Sequence, residues 1–482
     1  MPLRTLSIHC FHPATVATPR AGGPTSITNV TDTWPDLGTV IQTMTLRAGF
    51  NTNMVIAGTT FLGLAAGVIG VFALLRKRSL MTDALSHATL PGIAGAFLAA
   101  TALGAQGRSL PVLLLGATVT GVLSILCIQG ILRHTRLRED AAIGIVLSVF
   151  FGAGIVALSY IQANAAAGSA GLNKFIYGQA ATMQPHDVML MAAIAAGAVA
   201  ATALFLKEFA LVCFNDAFAK VDGWPVSFID VLMMSMVVLV TVAGLQAVGL
   251  ILVVALLIIP PVAARFWTDR LIPLLLIAAL IGAASGYFGS VISALLPRKP
   301  AGAVIVLTSG VFFAASLVFA PARGVIASAA RRLRLRLLIA GEDILENAYE
   351  QSIEPDATRN ISRQQIDATA RLRAWPIGFR ALVTHRLRRK GLLIPRPDHA
   401  WRLTDRGFTE GARVSRNHTL WEQYLVSYAD IAPSHVDWSV DQVEHILSDT
   451  LIAELEHRLA ARGIEIPPPV RTPRTPGNGA RP

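Results

Sequence analysis

Charge-free apolar runs of about twenty residues recur from residue 53 to residue 320. Crossing a bilayer core takes about 20 helical residues at 1.5 Å per residue. No water reaches that core, so each run must satisfy its own backbone hydrogen bonds, which a helix does. The runs predict nine spans, to within one, near 53–75, 84–104, 110–132, 141–162, 187–206, 228–244, 246–265, 271–292 and 302–320. Between the sixth and seventh, "AGLQAVG" must hold a tight turn. With 53% hydrophobic and only 15% charged residues, an ordinary soluble domain is excluded. The net charge of +11 is not by itself a nucleic-acid signature, since cations collect in the cytoplasmic loops of membrane proteins.

Threading nine spans puts "RKR" at 76–78, "RHTRLR" at 133–138, Lys207, Lys220, "RFWTDR" at 265–270 and "RRLRLR" at 331–336 on one side. The positive-inside rule makes that side cytoplasmic, leaves the N-terminus outside and puts the C-terminus inside; Arg298 and Lys299 run against it. The expected location is the inner membrane, with lipid around the spans. Cys10, Cys127 and Cys213 lie far apart, which argues against a disulfide framework. No signal peptide opens the chain. Residues 1–50 read as a disordered extension or a mis-called start, with Met44 as the alternative first residue.

Residues 51–321 therefore form one membrane domain. From 322 the long apolar runs stop. A linker helix is expected over 322–354, a winged-helix-like domain over 355–412, a helical region over 413–465, and a Pro- and Gly-rich disordered tail over 466–482. The winged-helix reading comes from a basic amphipathic helix carrying "RLRRK" at 386–390. Gly391, a β-rich stretch turning at "PRPDH", and "LTDRG" follow it.

Two sets of residues carry metal chemistry. Asp83 and His87, at i and i+4, share one helix face at the mouth of a span. A carboxylate with an imidazole is half a shell for a divalent transition metal, and ionisable groups at membrane depth tend to mark substrate paths. The competing reading is an interfacial acid and a histidine satisfied by a backbone carbonyl. In the tail, His418 and Glu422 repeat the i, i+4 spacing, Asp441, Glu444 and His445 share a face, and His435 lies between. Together they suit a binuclear divalent-metal site, or else a solvated polar face. Pro260 and Pro261 sit deep in a span, where each removes a backbone donor; a packing kink is favoured over a gate hinge. No "GxxxxGK[ST]" loop and no H-E-x-x-H are present, so ATP hydrolysis and zincin chemistry have no motif here.

The stretches "RKRSLMTDALSHATLPGIAGAFLA", "REDAAIGIVLSVFFGAGIVALSYIQ", "GLNKFIYGQAATM" and "VGLILVVALLIIPPVAAR", in this order, resemble the permeases of manganese, zinc and iron ABC importers. The resemblance covers 51–320. It implies a helical bundle of the type II importer kind, working with a second permease copy or paralogue. It also implies a cytoplasmic ATPase and an extracytoplasmic metal-binding protein. Asp83 and His87 become ligands of the ion in transit. "NDAFAKVDGWPVSF" resembles the coupling loop of such permeases, with Asp216, Ala219 and Gly223 as its marks; the alternative is a plain loop. Residues 162–187 are a guess for the binding-protein face, or a surface loop.

"LRRKGLL", "LTDRGF", "RNHTLWEQYL" and "VEHILSD" resemble the iron- and manganese-dependent repressors over 355–460. That resemblance implies His418, Glu422, His435, Asp441, Glu444 and His445 as ligands. The gap from His435 to Glu444 is about two residues longer than in those repressors, a departure at His435. The acid at Asp441 favours manganese over softer metals. A further ligand is implied near the start of the repressor fold, for which 345–356 is the window. The expected function is a metal-importer permease with a fused cytoplasmic metal sensor, manganese being favoured over zinc or iron. A relict dimerisation module and a membrane-anchored, DNA-binding regulator are the alternatives for the tail.

Overall fold

The computed structural model describes residues 36–76, 78–103, 110–164, 183–296, 299–353, 359–376, 378–397, 400–428, 449–464 and 466. They fall into two compact units, dividing between Arg323 and Gly324.

The first unit is a helical bundle. A short helix α1 (Leu37–Met44) precedes α2 (Phe50–Leu75), α3 (Ser79–Ala88), α4 (Leu90–Ala102), α5 (Leu110–His134), α6 (Glu139–Asn164) and α7 (Pro185–Leu204). Two short helices, α8 (Leu206–Phe214) and α9 (Asp216–Val221), lead to α10 (Val226–Val248), α11 (Leu250–Arg265), α12 (Leu271–Leu295) and α13 (Ala301–Phe319). Among the described residues eight helical segments are long and apolar enough to cross a membrane, α3 and α4 counting together as Met81–Ala102. The run predicted as the seventh span is a shorter apolar helix, Leu252–Arg265. Its turn falls at Gly249, the last residue of "AGLQAVG", where φ is +88° and a side chain would strain the backbone.

Residues 36–50 depart from the expected disorder. The Asp36 carboxylate accepts from the Gly38 amide and caps α1, Thr43 is buried, and the Tyr287 hydroxyl donates to the Met44 carbonyl. Its apolar residues Leu37, Ile41 and Met44 stay exposed, so the helix is held by its cap, by Thr43 and by the Tyr287 bond, none of which a count of Pro, Thr and Gly could show. Residues 1–35 lie outside the described residues.

Helices α2 and α12 form the most extensive pair in the bundle. A Cβ on Gly63 would come within 2.1 Å of the Gly282 carbonyl, and one on Gly282 as close to the Gly63 carbonyl. In lipid, where apolar surface alone does not drive association, such close backbone approach is what packs helices. Pro260 and Pro261 are buried inside α11, which stays helical through both. Pro261 cannot donate to the Leu257 carbonyl four residues back. Gly70 lies against that carbonyl, where a Cβ would approach to 2.1 Å.

The second unit opens with α14 (Val325–Ile353). It continues through β1 (Asn360–Ile361), α15 (Arg363–Leu372), α16 (Phe379–Arg389), β2 (Leu393–Pro395), β3 (Trp401–Leu403), α17 (Asp405–Tyr428) and α18 (Asp449–Ala461). The strands form an antiparallel sheet of order β1-β3-β2, with Leu393 opposite Leu403 and Ile361 opposite Trp401. The β2–β3 hairpin is the wing expected at "PRPDH". Gly378, φ +82°, makes the turn from α15 into α16.

The helix expected as a linker over 322–354 is a linker only in its first half. Its second half buries Ala340, Ile344, Leu345 and Ala348 against Ile366, Val383, Leu387, Leu403 and Phe408. The polar repeat of "EDILENAYEQSI" concealed this apolar stripe. Helix α17 likewise runs unbroken through the boundary expected at 412.

Candidate metal centres

Asp83 and His87 sit on α3, one turn apart, with Asp83 Oδ1 3.8 Å from His87 Nε2. The His87 ring meets Phe151 of α6 edge-on, centroids 5.1 Å apart at 82°. Its Nδ1 is buried and meets no hydrogen-bond partner among the described residues. The Asp83 carboxylate remains half exposed, at 49%. Pro91 cannot donate to the His87 carbonyl, and the regular helix is interrupted for the single residue Thr89, which keeps helical angles (φ −77°, ψ −19°), between α3 and α4. The proline leaves the His87 carbonyl without its usual helical donor, one turn from the Asp83 carboxylate. No group of three or more His, Cys, Asp or Glu able to hold a metal occurs among the described residues. One chain thus presents two donors here, which is half of a tetrahedral shell.

Asp216 and Ala219 lie on α9, and Gly223 follows it. The Asn215 side chain accepts from the Phe218 amide at the start of α9, and Lys220 pairs with Asp216 at 3.6 Å. Ala219 is fully buried, and Gly223 takes φ +84° with open space around it. Around them Phe214, Phe218, Val221, Trp224 and Phe228 are exposed, Val221 at 89%. Burial pushes the Cys213 thiol, at the end of α8, up to about 12.

Sequence reasoning missed an ion cluster at the root of α3. Asp230, in the first turns of α10, is buried. Its Oδ1 accepts from Arg76 Nε at 3.1 Å and its Oδ2 from Gln129 Nε2 of α5 at 3.0 Å. Arg78 pairs with Asp230 and also with Glu139, the first residue of α6. Arg76 Nη1 donates to the Val212 carbonyl of α8 at 3.0 Å. A single acid inside an apolar run was the available signal, because a buried charge requires partners.

In the second unit His418 and Glu422 share α17. A carboxylate from another helix meets His418: Glu346 Oε1 of α14 lies 3.6 Å from His418 Nδ1, both largely buried. Glu346 falls in the window left for the unassigned ligand. Beside it on α14, buried Asp343 pairs with Arg373 at 3.4 Å. Arg416 ties α17 to Glu456 of α18 at 2.8 Å. His435, Asp441, Glu444 and His445 lie outside the described residues, as do 165–182 of the stretch read as the binding-protein face. An imidazole and a carboxylate from two helices suit a borderline divalent ion.

Residues 50–320 match the family described as ABC 3 transport family. Residues 404–462 match the iron dependent repressor, metal binding and dimerisation domain. The manganese transport system membrane protein MntC of Bacillus subtilis is 38% identical over 382 residues, 79% of this chain and 86% of that protein. The zinc transport system membrane protein TroC of Treponema pallidum is 43% identical over 295 residues, 61% of this chain and 97% of that protein. Among solved structures, PsaBC from Streptococcus pneumoniae in complex with Fab matches at 30% identity and a TM-score of 0.50. That match spans 60% of this chain and 98% of the PsaBC chain.

Proposed function

This chain belongs to the ABC 3 transport family, and from that premise we propose that it is the permease subunit of an ATP-driven importer of divalent metal, manganese before zinc or iron. The observation that carries the reading is the Asp83–His87 pair: a half-exposed carboxylate 3.8 Å from an imidazole whose second nitrogen is buried without a partner among the described residues, beside the proline at position 91. The metal is the substrate. Two donors per chain, completed by a second permease copy or paralogue, would hold an ion yet release it, as conduction requires. Manganese stands first because the relative named for manganese aligns over 79% of this chain and the one named for zinc over 61%.

Energy comes from a separate cytoplasmic ATPase docking on α9. The exposed aromatic and aliphatic side chains around buried Ala219 support this, since aromatic anchors dominate protein interfaces. An extracytoplasmic binding protein delivers the ion. The chain is a multi-pass inner-membrane protein with its C-terminus in the cytoplasm, as the loop cations favour.

The second unit acts as a metal sensor that restrains transport. His418, Glu422 and Glu346 would hold the ion, with His435, Asp441, Glu444 and His445 as the remaining candidates. A bound divalent ion there neutralises the facing carboxylates and draws α14 and α17 together. A second reading, a DNA-binding regulator, rests on exposed Arg388, Arg389 and Lys390 at the end of α16. It requires DNA affinity that falls steeply with salt.

Uptake of radiolabelled manganese and zinc tests the proposal, in cells holding the permease with its ATPase and binding protein. The full chain is compared with a truncation at residue 325. Manganese uptake that escapes shut-off at high internal metal in the truncation is the expected result. Unchanged uptake demotes the tail to a structural module. No uptake by either form in cells containing the assembled complex returns the reading to the regulator.

A further inference from the structure

We infer that Asp230 is a positioning residue that transmits movement of the α9 segment to the Asp83–His87 helix. The inference rests on the transport reading above. Four observations converge on it. Asp230 is buried in an apolar bundle, where a charge is kept only at a cost. The cluster is balanced, two arginines against Asp230 and Glu139, so it lacks the excess charge of an ion-binding site. It joins the two flanks of α9 through one side chain. Arg76 holds both the Val212 carbonyl on α8 before α9 and Asp230 on α10 after it. Finally, Arg78 is the residue immediately before α3, and its carbonyl accepts from the Met81 amide in the first turn of that helix.

The mechanical consequence follows from chain length. Asp83 lies five residues beyond Arg78, within about 8 Å at the rise of a helix. A force on α9 must shift the end of α8 or the start of α10. Either shift acts on Arg76, and a shift of Asp230 acts on Arg78 at the root of the metal helix. Arg78 also grips Glu139 at the start of α6, the helix whose Phe151 braces the His87 ring. Both partners of the ion are thereby tied to one joint. Packed networks of this kind switch between discrete arrangements rather than bending smoothly. A buried ion cluster is weak evidence for stability, and selecting one arrangement is the role inferred for it here.

The test is the number of ATP molecules hydrolysed per manganese ion moved, in proteoliposomes holding the assembled transporter. In Asp230→Asn the shape is kept and the charge removed. Uptake per ATP should fall about tenfold, the size of an ordinary coupling between sites. Hydrolysis by the ATPase subunit should continue, and Asp230→Glu should recover most of the loss. If Asp230→Asn fails to assemble because Arg76 is left unpaired, the neutral pair Arg76→Gln with Asp230→Asn replaces it and should show the same loss. Unchanged uptake per ATP overturns the inference. So does a fall in uptake and hydrolysis in equal proportion, which would mark a merely structural cluster, and so does failure of both variants to assemble. An unmodified transporter that moves no manganese, zinc or iron sinks the transport reading instead, and is recognised as such before any variant is compared.

Discussion

Two carboxylate–imidazole pairs among the described residues carry the metal reading, and they are built differently. Asp83 and His87 stand one turn apart on α3, so backbone geometry puts them on one face, and their side chains approach to 3.8 Å. Glu346 and His418 stand on α14 and α17, seventy-two residues apart in the chain, and meet at 3.6 Å only because those helices pack. The first pair keeps its geometry wherever α3 goes. The second exists only while α14 and α17 stay in register, so anything that shifts those helices changes the site, and the site in turn can sense such a shift. A fixed pair suits an ion passing through. A pair that depends on packing suits an ion whose arrival must be reported.

The strongest way to break this comparison is Asp83→Ala. Manganese uptake should be abolished, falling by more than the roughly 10–100-fold that loss of an outer-shell partner costs, with the complex still assembled. Uptake that survives would move the transit site elsewhere. Next is Glu346→Gln. Manganese uptake at low internal metal should stay at its original rate, and inhibition at high internal metal should need about tenfold more manganese. Loss of basal uptake would show that Glu346 supports the fold rather than the sensor.

A third test uses the purified full-length Asp83→Ala protein, in which only the second site remains, titrated calorimetrically with manganese. There Glu346→Gln and His418→Ala should be non-additive by about 0.5–3 kcal/mol, as residues sharing a ligand are. Additive losses would mean that they hold separate ions or none. The smallest effect is expected from Phe151→Leu. Removing an edge contact of about 0.5–1.5 kcal/mol from the His87 ring should raise the KM for manganese a few-fold and leave the maximal rate nearly unchanged.

What could be read directly from the residues follows the same division. The spans were legible because a bilayer demands long apolar runs. Only 246–265 came out short, since Gly249 starts α11 four residues later than the predicted span. The wing at "PRPDH" was legible because turn residues interrupt two short β-prone stretches. The residues 37–44 were misread because a cap and one distant hydrogen bond from Tyr287 hold them, and the second half of α14 because its burial comes from neighbours and not from a strong local pattern. Asp230 was overlooked for a related reason. Its partners lie in the joint between α2 and α3 and on α5, more than a hundred residues upstream, and nothing near position 230 announces them.

By itself the sequence determined the membrane class, the division into two units near residue 323, and every contact that one helical turn can set, Asp83 with His87 among them. Those depend on local periodicity and on transfer of side chains from water, which each residue carries with it wherever it lies. Only the tertiary structure decided that Glu346 faces His418, that Gly63 meets Gly282, and that Arg76 holds both flanks of α9. Such contacts arise from how whole helices pack, and packing is a property of surfaces brought together rather than of any stretch of chain.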